Sequence, residues 1–260
     1  IGSHVSNSGK EMLLGSVNEA FNYGANGFMI YLGAPQNSYR KKLEEFNINE
    51  YQERLKDLRM DPIDVIVHAP YIVNLAQADD SKRQFAIDFI TKEVNMVSAI
   101  GAKYIVIHPG AALDLGLEKG LMKISDSVKH IIDYTKDSDV VICLETMAGK
   151  GTECGYQFEQ LKTIIDEVNS NRVKVCLDTC HTFDSGYDWI NNYEDIIDNI
   201  KKTIGLEAIK VIHVNDSKNT LGSKKDRHEN IGFGNIGFET LCKIVHDERF
   251  KDIMKILETP

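Results

Sequence analysis

The chain has no surplus of positive charge: 30 lysines and arginines stand against 39 aspartates and glutamates, a formal net charge of −9. A basic footprint is the first mark of a nucleic-acid binder, so this balance weighs against that class. It does not exclude it, because metal-ligand carboxylates are counted in the sum and bound cations would invert the local field. Cysteine is sparse and irregular, at Cys143, Cys154, Cys176, Cys180 and Cys242. An odd number without regular spacing argues against a disulfide framework and suits a reducing cytoplasm. Cys176 and Cys180 are spaced as a thiolate zinc pair can be, but no second Cys pair accompanies them. Apolar runs of membrane-spanning length are missing, as is any opening signal-peptide pattern. No composition break, Pro-rich linker or short-period repeat divides the chain. One domain over residues 1–260 is therefore expected, in the cytoplasm. The first residue is Ile1 rather than Met, so the natural start is expected to be missing.

What is present is an alternation. Short apolar runs at Ile1–His4, Gly27–Leu32, Ile63–His68, Tyr104–His108, Val140–Glu145, Val173–Asp178, Lys210–Asn215 and Ile253–Glu258 read as eight strands. Seven helical patterns lie between them, the signature of βα units and a parallel sheet. Ser81 with Gln84 suggests a capping box. Phe85, Phe89, Ile90, Val94, Val97 and Ile100 then repeat at helical spacing, and Gly101 is the expected stop. Leu13, Val17, Ala20 and Phe21 form a similar stripe, as do Ile124, Val128, Ile131 and Ile132, and Phe158, Leu161, Ile164, Ile165 and Val168. All of these are expected to face the core. Eight such units predict a single closed (β/α)₈ TIM barrel. An open doubly wound sheet would normally show a Gly-rich turn after its first strand, and His4-Val-Ser-Asn7 is not one. The last strand ends two residues before Pro260, so the helix that should cover it is expected beyond the given sequence.

In such a barrel the active site forms at the carboxyl ends of the strands. Those ends carry His4, His68, His108, Glu145, Asp178, His213 and Glu258, and only the second strand lacks an ionisable residue there. A lone histidine at a strand end is more often a hydrogen-bonded structural residue than a ligand. Seven of eight ends on one face is a different matter, because buried ionisable groups must be paired or coordinated. Neutral histidines with carboxylates suit Zn²⁺ or Mn²⁺. Two further candidates are expected on loops: His181, three residues past Asp178, and Asp226-Arg-His228. In an extended segment the spacing of Asp226 and His228 would put both on one side. His130 and His246 fall in helical patterns and are expected at the surface.

At these motifs the chain resembles the endonuclease IV family of apurinic/apyrimidinic endonucleases. The resemblance runs from Gly2-Ser-His-Val-Ser6 to Leu257-Glu-Thr259. It is carried by His68-Ala-Pro-Tyr-Ile-Val-Asn-Leu75, His108-Pro-Gly110, Leu144-Glu-Thr-Met-Ala-Gly-Lys-Gly151, Cys176-Leu-Asp-Thr-Cys-His181, Gly186-Tyr-Asp188, His213-Val-Asn-Asp-Ser-Lys218 and Asp226-Arg-His228. The resemblance implies three divalent metals, usually Zn²⁺, with Mn²⁺ possible at one or more sites. His68, His108 and Glu145 would hold the first. Glu145 would bridge to the second, completed by Asp178, His213 and Glu258; His181, Asp226 and His228 would hold the third. It also implies hydrolysis 5′ to an abasic site by a hydroxide bridging two metals, with Glu145 essential, a 3′-hydroxyl product, and end-cleaning at 3′ termini. The partner would be double-stranded DNA carrying abasic sites, and the protein a monomer with no membrane attachment.

Loops after the second and third strands enter the DNA in that family. Tyr71 and Ile72 match the second of these wedges, an established way to hold DNA kinked. Gln36, in Gly33-Ala-Pro-Gln36, stands where some members place an arginine. Lys218, Arg227, Lys224 and Lys225 are candidate phosphate contacts, and solvated loop charge is the plainer reading of each lysine. Two other functions fit parts of the pattern. A sugar isomerase or epimerase of the same barrel class would use one or two metals, but needs neither the third set nor the wedge. A non-catalytic DNA-lesion binder would be expected to have lost at least one of the nine ligands.

Overall fold

The computed structural model describes all residues 1–260. Eight parallel strands form one sheet: β1 (Gly2–Ser3), β2 (Phe28–Ile30), β3 (Val65–His68), β4 (Tyr104–Ile107), β5 (Val141–Glu145), β6 (Val173–Asp178), β7 (Ile209–His213) and, after a hairpin, β10 (Met254–Leu257). The hairpin pairs β8 (Asp216–Ser217) with β9 (His228–Glu229), antiparallel. The sheet runs in sequence order from β2 to β7, then β10 and β1. It curls onto itself through a parallel bridge between His4 and Met29 and a 2.9 Å bond from the Val5 N–H to the Met29 carbonyl. That seam is tight. A Cβ at Gly2 would stand 1.9 Å from the Gly27 carbonyl oxygen, so only glycine fits there.

Helices α1 (Leu13–Asn22), α2 (Ile48–Leu58), α3 (Asp80–Ile100), α4 (Leu117–Tyr134), α5 (Phe158–Val168), α7 (Tyr193–Thr203) and α8 (Phe238–Val245) fall between the strands, as the sequence predicts. One addition is α6 (Thr179–Ser185), a short helix directly after β6. His181, expected on a loop, sits in its first turn. The start of α3 also differs: Asp79, not Ser81, is the cap, and its side chain accepts the Lys82 N–H at 2.9 Å. An aspartate one residue before the helix reaches those free amides directly. Gly101 ends the helix at φ 83°, as expected. Phe85 and Phe21 leave the core stripes and are exposed, at 56% and 49%. Phe85 stacks on Phe89, and the Arg54 guanidinium lies over Phe21, so each ring is partly covered by a neighbour on the surface. Ile63, expected in a strand, belongs instead to a 3₁₀ turn over Pro62–Asp64.

The core has two shells. The larger lies between strands and helices and includes Phe28, Ile30, Val65, Val67, Ile105, Ile107, Leu144 and Leu177. The smaller fills the barrel: Met29, Ile66, Val106, Cys143, Cys176, Val211, Met254 and Ile256. Two of the five cysteines therefore serve as small apolar filling, and none forms a disulfide. No helix is long and apolar enough to cross a membrane.

Candidate metal centre

Side chains alternate across a strand with a period of two, so the position two beyond an inward residue also points inward. Each member of the inner shell thus foretells a second layer above it. Ile66 leads to His68, Val106 to His108, Cys143 to Glu145, Cys176 to Asp178, Val211 to His213 and Ile256 to Glu258. Met29 leads to Tyr31, whose ring packs 5.2 Å from His68 and 5.0 Å from His4. The same parity that fills the barrel with apolar groups tops it with ligand groups.

Glu145 is the hub. Its Oε2 lies 3.0 Å from His68 Nε2 and 3.1 Å from His108 Nε2. Its Oε1 lies 3.0 Å from His213 Nδ1, which is also 3.0 Å from Glu258 Oε2. Ligand atoms of His68, His108 and Glu145 lie within 4.8 Å of one another, as do those of Glu145, Asp178, His213 and Glu258. These two sets are the first two expected from the sequence. A third set joins Asp178, His181 and His228. Asp226, expected there, lies beside it, with Oδ1 3.0 Å from His181 Nε2 and 3.6 Å from His228 Nε2. Its backbone is left-handed, at φ 58°, rather than extended, yet both side chains still meet His181.

Three of these histidines share a tautomer pattern. His68 Nδ1 is 2.7 Å from the Ala69 carbonyl, His181 Nδ1 is 2.9 Å from that of Thr146, and His228 Nδ1 is 3.2 Å from that of Glu258. A carbonyl only accepts, so each Nδ1 carries a proton, which leaves Nε2 as the nitrogen that can bind a cation. Two acceptors facing each other at 3 Å repel unless a proton or cation lies between them. His228 Nε2 is buried and has no hydrogen-bond partner at all. Rings held by a backbone carbonyl, with the other nitrogen aimed at carboxylates, are the arrangement of metal-binding histidine. The donor set therefore fits divalent cations of the Zn²⁺ or Mn²⁺ type.

The charges of the cluster shift its groups strongly, and a cation would have to displace the proton they favour at His181. Burial works to raise the Glu145 carboxyl, yet the His213 and His108 rings hold it well below the usual glutamate range. Burial raises Asp178 above the ordinary aspartate value, against the pull of His181 and His228. Burial works to lower His181, yet Asp178 and the bond to Asp226 hold it well above the usual histidine value.

Residues that orient the ligands are harder to see in sequence. Asn215 donates to Asp178 Oδ2 at 2.7 Å and Glu258 Oε2 at 3.2 Å, and accepts the Glu258 N–H at 2.8 Å. Thr146 Oγ1 accepts the Asp178 N–H at 2.9 Å. Buried Asp216 collects the N–H groups of Gly232, Gly234, Ile236 and Gly237 and so folds the Gly-rich turn. A Cβ at Gly234 would lie 2.4 Å from that carboxylate. Asn215 and Asp216 stand inside the His213–Lys218 motif, which was the available signal; nothing in spacing marks Thr146.

The expected DNA-contact residues are not drawn into the centre. Gln36, Tyr71, Ile72, Lys218 and Arg227 are exposed, on loops that follow β2, β3 and β7. Tyr71 and Ile72 expose 52% and 43% of their surface. Lys224 and Lys225 are exposed too, and the Lys224 ammonium lies over the Tyr156 ring. His246, just past α8, is exposed, and His130 is half-buried on α4, where its Nδ1 bonds the Asp126 carbonyl.

Known proteins resemble this chain to different depths. A family model described as xylose isomerase-like TIM barrel matches residues 17–260. A Bacillus subtilis protein named "Probable endonuclease 4" is 51% identical, over all of this chain and 87% of its own length. A protein of that name from Staphylococcus aureus is 50% identical over the same shares. The crystal structure of endonuclease IV from Thermus thermophilus superposes with a TM-score of 0.88 at 28% identity, covering 99% of this chain and 91% of that one. A D-tagatose 3-epimerase-like protein, at 19% identity and a TM-score of 0.71 over 99% of this chain and 89% of its own, shares the fold.

Proposed function

The chain belongs to the endonuclease IV family, within the xylose isomerase-like TIM barrels, and on that premise we propose that it is a metal-dependent DNA-repair endonuclease. Its substrate would be duplex DNA with an abasic site, cut on the 5′ side to leave a 3′-hydroxyl, with 3′ end-cleaning as a related activity of the same centre. The carrying observation is the Glu145 carboxylate, shared between two ligand sets, with three histidine nitrogens within 3.1 Å of its two oxygens. His68, His108 and Glu145 would hold one cation; Glu145, Asp178, His213 and Glu258 a second; His181, Asp226 and His228 a third. Divalent cations there supply a water activated at neutral pH and positive charge for the phosphodiester oxygens.

The chain's own residues do the rest. Backbone carbonyls of Ala69, Thr146 and Glu258 fix the tautomers of His68, His181 and His228. Asn215 keeps the carboxylates of Asp178 and Glu258 turned inward. Exposed Tyr71 and Ile72 suit a wedge that holds an unstacked step open, and a missing base lowers the cost of turning the sugar out. Gln36 offers a polar side chain at the neighbouring loop, while Lys218 and Arg227 suit phosphate oxygens. The reading is tested with the metal-loaded protein on a duplex containing a single abasic site. One nick 5′ to the lesion is expected. A fully metallated protein that binds this DNA and never cuts it would make the chain a lesion binder and end the proposal.

A further inference from the structure

Asp184 is fully buried on α6, three residues past His181. Three donors from the excursion after β7 converge on its carboxylate. Ser217 Oγ reaches Oδ1 at 2.6 Å, and the Asn219 amide and the Asp226 N–H reach Oδ2 at 3.0 and 2.9 Å. The Asp184 carbonyl also accepts the Lys224 N–H at 2.9 Å. No lysine or arginine pairs with Asp184, so hydrogen bonds from this one segment are what make its burial tolerable.

The consequence falls on all three members of the outer set. His181 shares the helix with Asp184. Ser217, which bonds Asp184, is the cross-strand partner of His228 in the β8–β9 hairpin. Asp226 is held through its own N–H, in a left-handed conformation at φ 58° that is uncommon outside glycine, though aspartate adopts it more readily than most residues. With the backbone so fixed, Asp226 Oδ1 faces His181 Nε2 at 3.0 Å, while Oδ2 is 3.3 Å from Lys150 Nζ.

We propose that Asp184 is the positioning residue of the outer cation site formed by His181, Asp226 and His228, and that it sets that site's affinity without touching the cation. The inference rests on the three-cation reading above. The hydrogen-bond chemistry separates two substitutions. Asp184→Ala strands the donors of Ser217, Asn219 and Asp226. Asp184→Asn preserves the network, because its oxygen accepts from Asn219 and Asp226 and its amide donates to the Ser217 hydroxyl oxygen.

The test is cation content per chain during titration with a chelator, read by elemental analysis and by the visible absorption of the cobalt(II)-loaded protein. The wild type is expected to hold three cations. Asp184→Ala should keep two and release the third about 10–100-fold more readily, as loss of an outer-shell partner does. Asp184→Asn should retain all three near wild-type strength. Should the alanine variant fail to fold, Asp184→Ser leaves a smaller void and should show the same selective release. An alanine or serine variant that holds its third cation as the wild type does overturns the inference. So does an asparagine variant as weak as the alanine one, since hydrogen-bond positioning would then not be the cause. A wild type that holds only two cations would instead defeat the three-cation reading.

Discussion

Glu145 reaches the middle of the barrel mouth because Cys143, two residues earlier, already faces inward between its neighbours. Its carboxylate then meets three ring nitrogens, and a carboxamide in its place could not serve two cations. Glu145→Gln should leave the barrel folded and abolish incision, a loss beyond the roughly 10–100-fold that an outer-shell change costs. Incision kinetics and circular dichroism on the same sample check this; a variant that still cuts would remove Glu145 from its bridging role. The ring nitrogens carry a second expectation. A histidine must release its proton to bind a cation, so cations should be lost progressively as the pH falls. Equilibrium dialysis at stepped pH should show more chelator-accessible metal at lower pH, and no change across the range would contradict histidine ligation.

The loop between β2 and α2 is fastened to α3 by a buried ion pair. Arg40 Nε lies 2.6 Å from Glu93 Oε1, with neither side chain exposed, and Arg40 Nη1 holds the carbonyls of Asn37 and Tyr39. The Arg40 guanidinium also lies 4.9 Å from the centre of the Phe89 ring. Removing one partner leaves an uncompensated buried charge, which costs about 3–5 kcal/mol. Glu93→Gln should therefore lower the melting temperature clearly, whereas replacing both residues with apolar ones of similar volume should cost much less. If the single and double variants melt alike, the pair does not fasten this loop. On the neighbouring element, Tyr71→Ala should weaken binding to abasic DNA by about 1–3 kcal/mol, the worth of one stacking contact. Metal content and melting temperature should not move, because the ring is half exposed. At this scale the sequence was readable where burial imposes a period. Strand positions, the α3 stop at Gly101 and six inward ligands all follow from parity or helical spacing. It was unreadable where one side chain chooses among nearby backbone donors. Asp79 rather than Ser81 caps α3, Asp178 caps the unforeseen α6, and Asp216 folds the Gly-rich turn, each by side-chain hydrogen bonds to backbone N–H groups that leave no periodic trace.

For the whole molecule the question is how a chain of net charge −9 approaches a polyanion. The carboxylates that contribute to that charge are gathered in part at the barrel mouth, where Glu145, Asp178, Asp226 and Glu258 lie among five histidines. Three divalent cations would add six positive charges, bringing the total from −9 to about −3 and changing the sign of the field where it matters. Exposed Lys218, Lys224, Lys225 and Arg227 all lie on the segment that Asp184 and Asp216 hold folded and that also carries Asp226 and His228. Loaded with metal, the protein should bind abasic duplex with an affinity that falls as salt rises, because each neutralised phosphate releases counterions. Stripped by a chelator, it should bind far more weakly and melt at a lower temperature, since the buried carboxylates lose the charge that offsets their burial. Fluorescence-anisotropy titrations of both forms at several salt concentrations decide the point. If the stripped protein binds the same DNA with the same affinity and salt slope, the cations are not what draws this acidic barrel to DNA, and the exposed basic residues alone must do so.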